Sequence, residues 1–259
     1  MAEVTGPQRA VATELSVDPS TQMQFGTDAP ITHVMATMRA MRRLKPDPVP
    51  RELLAELVRA ATWAPSGSDA QHYGFVVVDD RELMAELAVL WRDSFEMYTA
   101  MAGTIVPGAD TDRHERMYAA LEYQAEHFHE TPALIAAVYK KSSAAGVDVR
   151  AGIDLARRLG ARRMARLAGS VSVGPLGEAS SIYPACQNLL LAARAHGLAA
   201  TLTIWHLFRN ADFQAALRVP KGQGIYALIP VGWPAGNFGP VRRRPVDDIL
   251  HWNRWGAHS

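Results

Sequence analysis

Apolar and polar residues alternate along this chain with two different periods. Leu53, Leu54, Leu57, Val58 and Ala61 recur at intervals of three and four, which predicts an amphipathic helix. Pro50 suits the first turn of that helix. Upstream, Ile31 to Leu44 also follows a helical period, ending in basic residues and the breaker Lys45-Pro46-Asp47-Pro48-Val49-Pro50. Ala64-Pro65-Ser66-Gly67-Ser68-Asp69 is turn chemistry, and the β-branched run Phe75–Val78 reads as a buried strand. Helices are expected over Arg81 to about Ala102 and over about Asp112–Glu130, with a strand at Ala133–Tyr139. The stretch Lys140–Gly177, rich in Gly, Ala and Arg, is partly helical and a candidate cover over a site. Ala179–Ala195 is apolar nearly all round, hence a buried helix, and Gly197 is its stop. Strands at Ala199–Trp205 and Ile225–Val231 flank a short helix near Ala211–Leu217. Pro230 implies that the last strand ends there or lies at a sheet edge.

Strands separated by helices imply a layered α/β or α+β domain. Residues 1–30 read as a loosely ordered polar arm, and residues 31–259 as one domain whose tail begins at Pro234. Of 259 residues, 48% are hydrophobic and 20% charged, which suffices for a large core. A net charge of +1 gives no global attraction to nucleic acid or to an anionic membrane, so any basic site must be local. Cys186 is the only cysteine. That excludes internal disulfides and multi-cysteine metal sites and suits a reducing cytoplasm. Neither a signal peptide nor a membrane-spanning run is visible, so a soluble, cytoplasmic protein is expected.

Met38-Arg39-Ala40-Met41-Arg42-Arg43-Leu44-Lys45-Pro46 gathers three arginines at a predicted helix end. Charge alone allows two readings: a solvated face favoured by the helix dipole, or a phosphate clamp of guanidinium forks. Other patterns fail on context. Gly222-Gln223-Gly224-Ile225-Tyr226-Ala227 fits a dinucleotide-binding loop, but a strand follows it where a helix is required. The imidazoles of His127-Phe128-His129-Glu130 point to different helix faces, so no metal site is expected. Cys186 sits in an apolar helix as a core residue. Arg242–Arg244 is too short, and too poor in interleaved aromatics, for a nucleic-acid patch.

The order of these segments adds what no single one carries. The basic helix end, the Lys-Pro-Asp-Pro-Val-Pro bridge, the amphipathic helix and Ala64-Pro65-Ser66-Gly67 before a hydrophobic strand together resemble the opening of the FMN-dependent nitroreductase family. Gln187–Leu198 is similar to that family's central helix and its exit turn. Ile229-Pro230-Val231-Gly232-Trp233-Pro234, followed by Arg242-Arg243-Arg244-Pro245, resembles its closing strand and basic tail. The resemblance implies an α+β sandwich, with a central, mostly antiparallel sheet flanked by helices, assembled as a segment-swapped homodimer. It implies that Arg39, Ala40 and Arg42 meet the flavin phosphate and ribityl chain, and that Arg243 returns to the phosphate. Pro65, Ser66 and Gly67 would meet the cofactor, and the backbone of Leu202, Thr203 and Ile204 would approach the ring near N5. Met38 and Ala40 depart from an arginine and a serine common in relatives; Asp69 and His72-Tyr73 depart from an asparagine and a Pro-Trp pair.

The function so implied is reduction of a nitroaromatic, quinone or similar conjugated electrophile by ping-pong hydride transfer through FMN, with NADH or NADPH as donor. The cofactor carries such chemistry, so no side chain is assigned as catalytic acid or base. Tyr123 and His127 are candidates to line the substrate pocket. Trp252 and Trp255 are expected to bury against a partner subunit. The alternatives are a reductive dehalogenase or flavin-cleaving relative of the same fold, or a non-catalytic flavin-sequestering paralogue.

Overall fold

The computed structural model describes residues 25–26, 28–102, 111–142, 149–168 and 173–257; most of the predicted N-terminal arm and parts of the predicted cover lie outside them. Among the described residues, seven helices surround a four-stranded sheet: α1 (Ile31–Thr37), α2 (Arg51–Thr62), β1 (Tyr73–Val78), α3 (Arg81–Ala102), α4 (Thr111–Glu126), β2 (Ala133–Lys140), α5 (Val149–Ala168), α6 (Val173–Ala195), β3 (Ala199–Ala200), α7 (Asn210–Ala216) and β4 (Gln223–Gly232). The strand order is β1-β2-β4-β3 and every pairing is antiparallel. The expected α+β sandwich is therefore what the chain forms.

Side-chain alternation in β2 and β4 divides the core in two. On one face Ala133, Ile135, Ala137, Ala227, Ile229 and Val231 pack under α2 and α6. Leu54, Leu57 and Ala61 of α2 are buried there, as the spacing predicts. From α6, Ile182, Ala185, Cys186, Leu189 and Ala193 fill the same layer. On the opposite face Leu134, Ala136 and Leu228 meet Met84, Leu87 and Trp91 of α3, with Phe128 and Phe213. A bulge between the two layers changes the register from Ala137–Ala227 to Val138–Ile225, leaving Tyr226 as the extra residue.

Local chemistry sets the boundaries. Asp80 caps α3, its carboxylate accepting from the Leu83 N–H at 2.8 Å. Gly197, at φ +76°, ends α6, and the Leu198 N–H returns to the Ala193 carbonyl at 2.8 Å. α6 begins at Val173, earlier than the predicted Ala179, and α5 makes much of the predicted cover helical.

The Phe75–Val78 run, expected as a buried strand, lies on the edge strand β1, where only Val78 of the four is buried. Three further expectations are corrected. The first helix stops at Thr37 instead of Leu44, and Met38 is extended. The following segment pairs with the tail: the Lys45 N–H reaches the Trp233 carbonyl (2.8 Å) and the Ala235 N–H the Arg43 carbonyl (3.0 Å). The arginines thus lie on non-helical chain beyond the C-cap of α1, outside the helix. Second, Pro230 is neither a strand end nor on an edge strand, because β4 lies between β2 and β3. Third, the predicted strand Ala199–Trp205 shrinks to Ala199–Ala200, with a lone bridge at Thr203–Leu228.

The last two corrections share a cause. The Thr201 N–H donates to the Pro230 carbonyl at 3.3 Å. Proline has no N–H to return that bond. The β3–β4 ladder lapses there and resumes in the same register at Thr203, whose N–H and carbonyl both pair with Leu228 (3.0 and 2.9 Å).

Candidate active site

Where β3 lapses, the chain lines a cavity of about 430 Å³. Its wall is built from Arg42, Tyr98 of α3, Met117, Leu121 and Gln124 of α4, Tyr183 of α6, and Thr201–Trp205. A pocket of this size and mostly apolar lining, with a few polar groups, is the usual form of a small-molecule site.

The floor is held from three sides. The Thr201 hydroxyl donates to the Met41 carbonyl at 3.2 Å, joining the floor to the arginine segment. The Thr203 hydroxyl accepts from the Trp205 N–H at 3.3 Å. The imidazole of the fully buried His206 bonds through Nε2 to the Ile225 carbonyl at 2.9 Å, so Nε2 carries the proton. Burial pushes the His206 pKa below its usual value, the bond to Ile225 opposing in part. One turn further on, Arg209 pairs with Asp93 of α3 and with Asp212.

Aromatic rings close one side. Trp205 stacks on Tyr98 with centroids 4.7 Å apart and packs on Phe95 (5.7 Å) and Trp91 (5.5 Å). Trp91 in turn stacks on Phe128 at 4.3 Å. The cavity wall is thereby continuous with the α3 side of the core.

Two polar side chains face the cavity from this wall. Arg42 is half-buried, no described carboxylate pairs with it, and its Nε makes no hydrogen bond among the described residues. Burial lowers its pKa from the usual arginine value, with Tyr98 opposing. Gln124 is 4% exposed, and its side chain lines the same cavity. A buried guanidinium N–H of this kind is costly without a ligand that pairs it. A planar ligand with anionic and carbonyl acceptors would pair with both side chains, so the residues present fit a flavin.

Of the residues anticipated from sequence, Arg42, Leu202, Thr203 and Ile204 come together in this lining. Arg39 lies on the same extended segment, its Nη1 about 3.5 Å from where a Cβ on Gly239 of the tail would stand. Ala40 and Arg243 are exposed, and neither lines the cavity. The Pro65–Gly67 turn is held against α6, the Gly67 N–H donating to the Ser181 hydroxyl at 3.0 Å. Behind it Ser68, Asp69 and Gln71 all adopt φ near +50°, a left-handed cluster that non-glycine residues rarely adopt. Tyr123 and His127 stand outside the lining.

Sequence reading missed Tyr98, Met117, Leu121, Gln124, Tyr183 and Trp205. The signal for the α4 group was available: positions 117, 121 and 124 share one helical face, and a buried glutamine interrupts an apolar stripe.

The sequence model described as the nitroreductase family matches residues 35–233. This chain belongs to the nitroreductase family. Among relatives, this nitroreductase-family protein is 27% identical over 220 residues to an NADH dehydrogenase of Thermus thermophilus, covering 83% of this chain and 91% of that one. It is 23% identical over 220 residues to an iodotyrosine deiodinase of Danio rerio, covering 84% of this chain and 65% of that one. Among solved structures, iodotyrosine deiodinase bound to FMN and 3-iodo-L-tyrosine matches with a TM-score of 0.63 at 19% identity, covering 87% of this chain and all (100%) of that one. At that identity the likeness is one of fold.

Proposed function

We propose that this protein is an FMN-dependent oxidoreductase, reducing a nitroaromatic, quinone or similar conjugated electrophile at the expense of NADH or NADPH. The observation that carries the reading is the cavity in which Arg42, its Nε without a partner among the described residues, and the buried Gln124 face the Leu202–Ile204 backbone. FMN bound there would supply hydride acceptance from the nicotinamide and two-electron delivery to the acceptor. Arg42 holds positive charge in a partly dry setting, where it favours electron-rich oxygens and nitrogens of a ligand. Gln124 offers an amide donor and acceptor to a polar ring edge. Leu202, Thr203 and Ile204 present backbone on a floor fixed by His206 and the Thr203–Leu228 bridge. Tyr98 and Trp205 exclude water from one wall.

Arg39, Ala40 and Arg243 are assigned to the phosphate end, on the extended segment and the tail. The turn Pro65-Ser66-Gly67 does not line its own chain's cavity, so its cofactor contact is made across a homodimer. Exposed Trp252 (54%), Trp255 (91%) and Ile249 (54%) on the tail support such an assembly, since the tail has apolar surface to bury. A reducing cytoplasmic setting is consistent with Cys186 as a free thiol. No helix among the described residues is long and apolar enough to cross a membrane.

The test is to load the purified chain with FMN under argon, add NADH or NADPH, and follow the flavin absorbance. Bleaching by one donor, reversed by a quinone or nitroaromatic, is expected. A flavin that binds but is bleached by neither donor would overturn the nicotinamide-driven reading. Adding 3-iodotyrosine to dithionite-reduced protein separates the dehalogenase alternative, which requires iodide release.

A further inference from the structure

Two adjacent pairs of residues meet at the cavity wall in matching order. Arg42 and Gln124 line the cavity; their chain neighbours Arg43 and Tyr123 meet behind it. The Arg43 guanidinium carbon lies 4.8 Å from the centre of the Tyr123 ring. Tyr123 in turn stacks on His127, with centroids 4.2 Å apart and planes 23° from parallel. The His127 Nδ1 lies 3.3 Å from the Glu130 carboxylate, at the turn leading into β2. The order of the stack is guanidinium, phenol, imidazole, carboxylate.

The extended arginine segment is tied toward the sheet by backbone: Ala235 N–H to the Arg43 carbonyl, and Thr201 hydroxyl to the Met41 carbonyl. Those bonds fix the segment against the cavity floor but not against α4, which supplies Gln124. Arg43 on Tyr123 spans that remaining gap. An arginine over a ring face within about 6 Å is attracted by the ring quadrupole, and its plane limits how the segment can rotate.

We propose that Arg43 and Tyr123 are positioning residues: their cation–π contact braces the arginine segment against α4 and sets the separation of Arg42 and Gln124 for one planar ligand. The proposal rests on the FMN reading above. Tyr123 and His127 then serve the site from behind its wall. Their aromatic faces are consumed by the stack.

The test measures FMN affinity of the full chain by quenching of flavin fluorescence, with thermal unfolding of the FMN-free protein alongside. Arg43→Met and Tyr123→Leu are each expected to weaken FMN binding by about fivefold, the scale of one exposed cation–π contact. The double variant should be no weaker than either single, because the contact is already lost. Tyr123→Phe keeps the ring and should bind within about twofold of the parent. Additive losses in the double variant, parental affinity in Arg43→Met, or a Tyr123→Phe as weak as Tyr123→Leu would each overturn the brace. Should Tyr123→Leu not fold, Arg43→Met and Tyr123→Phe decide the matter. Arg42→Met tells loss of the brace from loss of the flavin site. If the parent binds no FMN, the FMN reading fails; if Arg42→Met binds FMN as the parent does, the placement of the flavin in this cavity fails and the brace with it; if Arg42→Met loses FMN while Arg43→Met does not, only the brace fails.

Discussion

The two faces of the sheet are filled with different chemistry. Under α2 and α6 the layer is mostly aliphatic and small, with six alanines of the sheet and helices among its fully buried members. Under α3 the layer turns aromatic through Trp91, Phe128 and Phe213, and beside Phe213 it buries His206, whose Nδ1 has no partner among the described residues. The cavity opens where the aromatic layer runs out past the end of β3. Small aliphatic side chains pack with few gaps, whereas stacked rings leave flat walls with spaces between them. The difference separates a layer that supplies stability from one that supplies shape.

The largest effect that would test this division lies in the aliphatic layer. Leu189→Ala should cost about 3 kcal/mol in urea unfolding, yet leave FMN affinity of the folded protein within about twofold. A loss under about 1 kcal/mol would mean the layer is not close-packed. Arg42→Met should do the reverse. FMN affinity is expected to fall by about 30-fold, the scale of charged hydrogen bonds, while stability holds or rises because a desolvated cation is gone.

Acid sharpens the comparison further. His206 has a folded pKa below its unfolded value of about 6.5, so the unfolded chain takes up the proton first. Its contribution to stability is complete above about pH 6.5 and is lost as pH falls toward the folded pKa, at no more than about 1.4 kcal/mol per pH unit. Urea midpoints measured from pH 7 to pH 5 should decline, and His206→Gln should remove part of that slope. The smallest expected effect is no reaction at all. Burial pushes the Cys186 thiol up to about 12, so a thiol reagent at pH 8 should modify it only after unfolding. Rapid labelling of native protein would show that the α6 layer opens.

Much of this was legible from the chain. The periods at Leu54, Leu57 and Ala61, the stop at Gly197 and the β2 run report local preference and burial, which one sequence carries. The cavity's floor was legible through family order. Its walls were not, because Tyr98, Gln124 and Trp205 acquire meaning only when α3, α4 and the end of β3 converge. The extended course of Arg39–Arg43 escaped for the same reason: its partners are Trp233 and Ala235, nearly two hundred residues away in the chain. Pro230 misled because a rule about ladder bonds does not say which of two neighbours loses one.

That proline has a further consequence for how the molecule could change. Any other residue at position 230 brings a hydrogen that Thr201 is placed to accept. One codon change could then zip β3 onward from Ala200 toward Thr203, drawing into the sheet the stretch of backbone that now floors the cavity. The absence of one N–H keeps a stretch of sheet unfinished, and the unfinished stretch is the part available to a ligand.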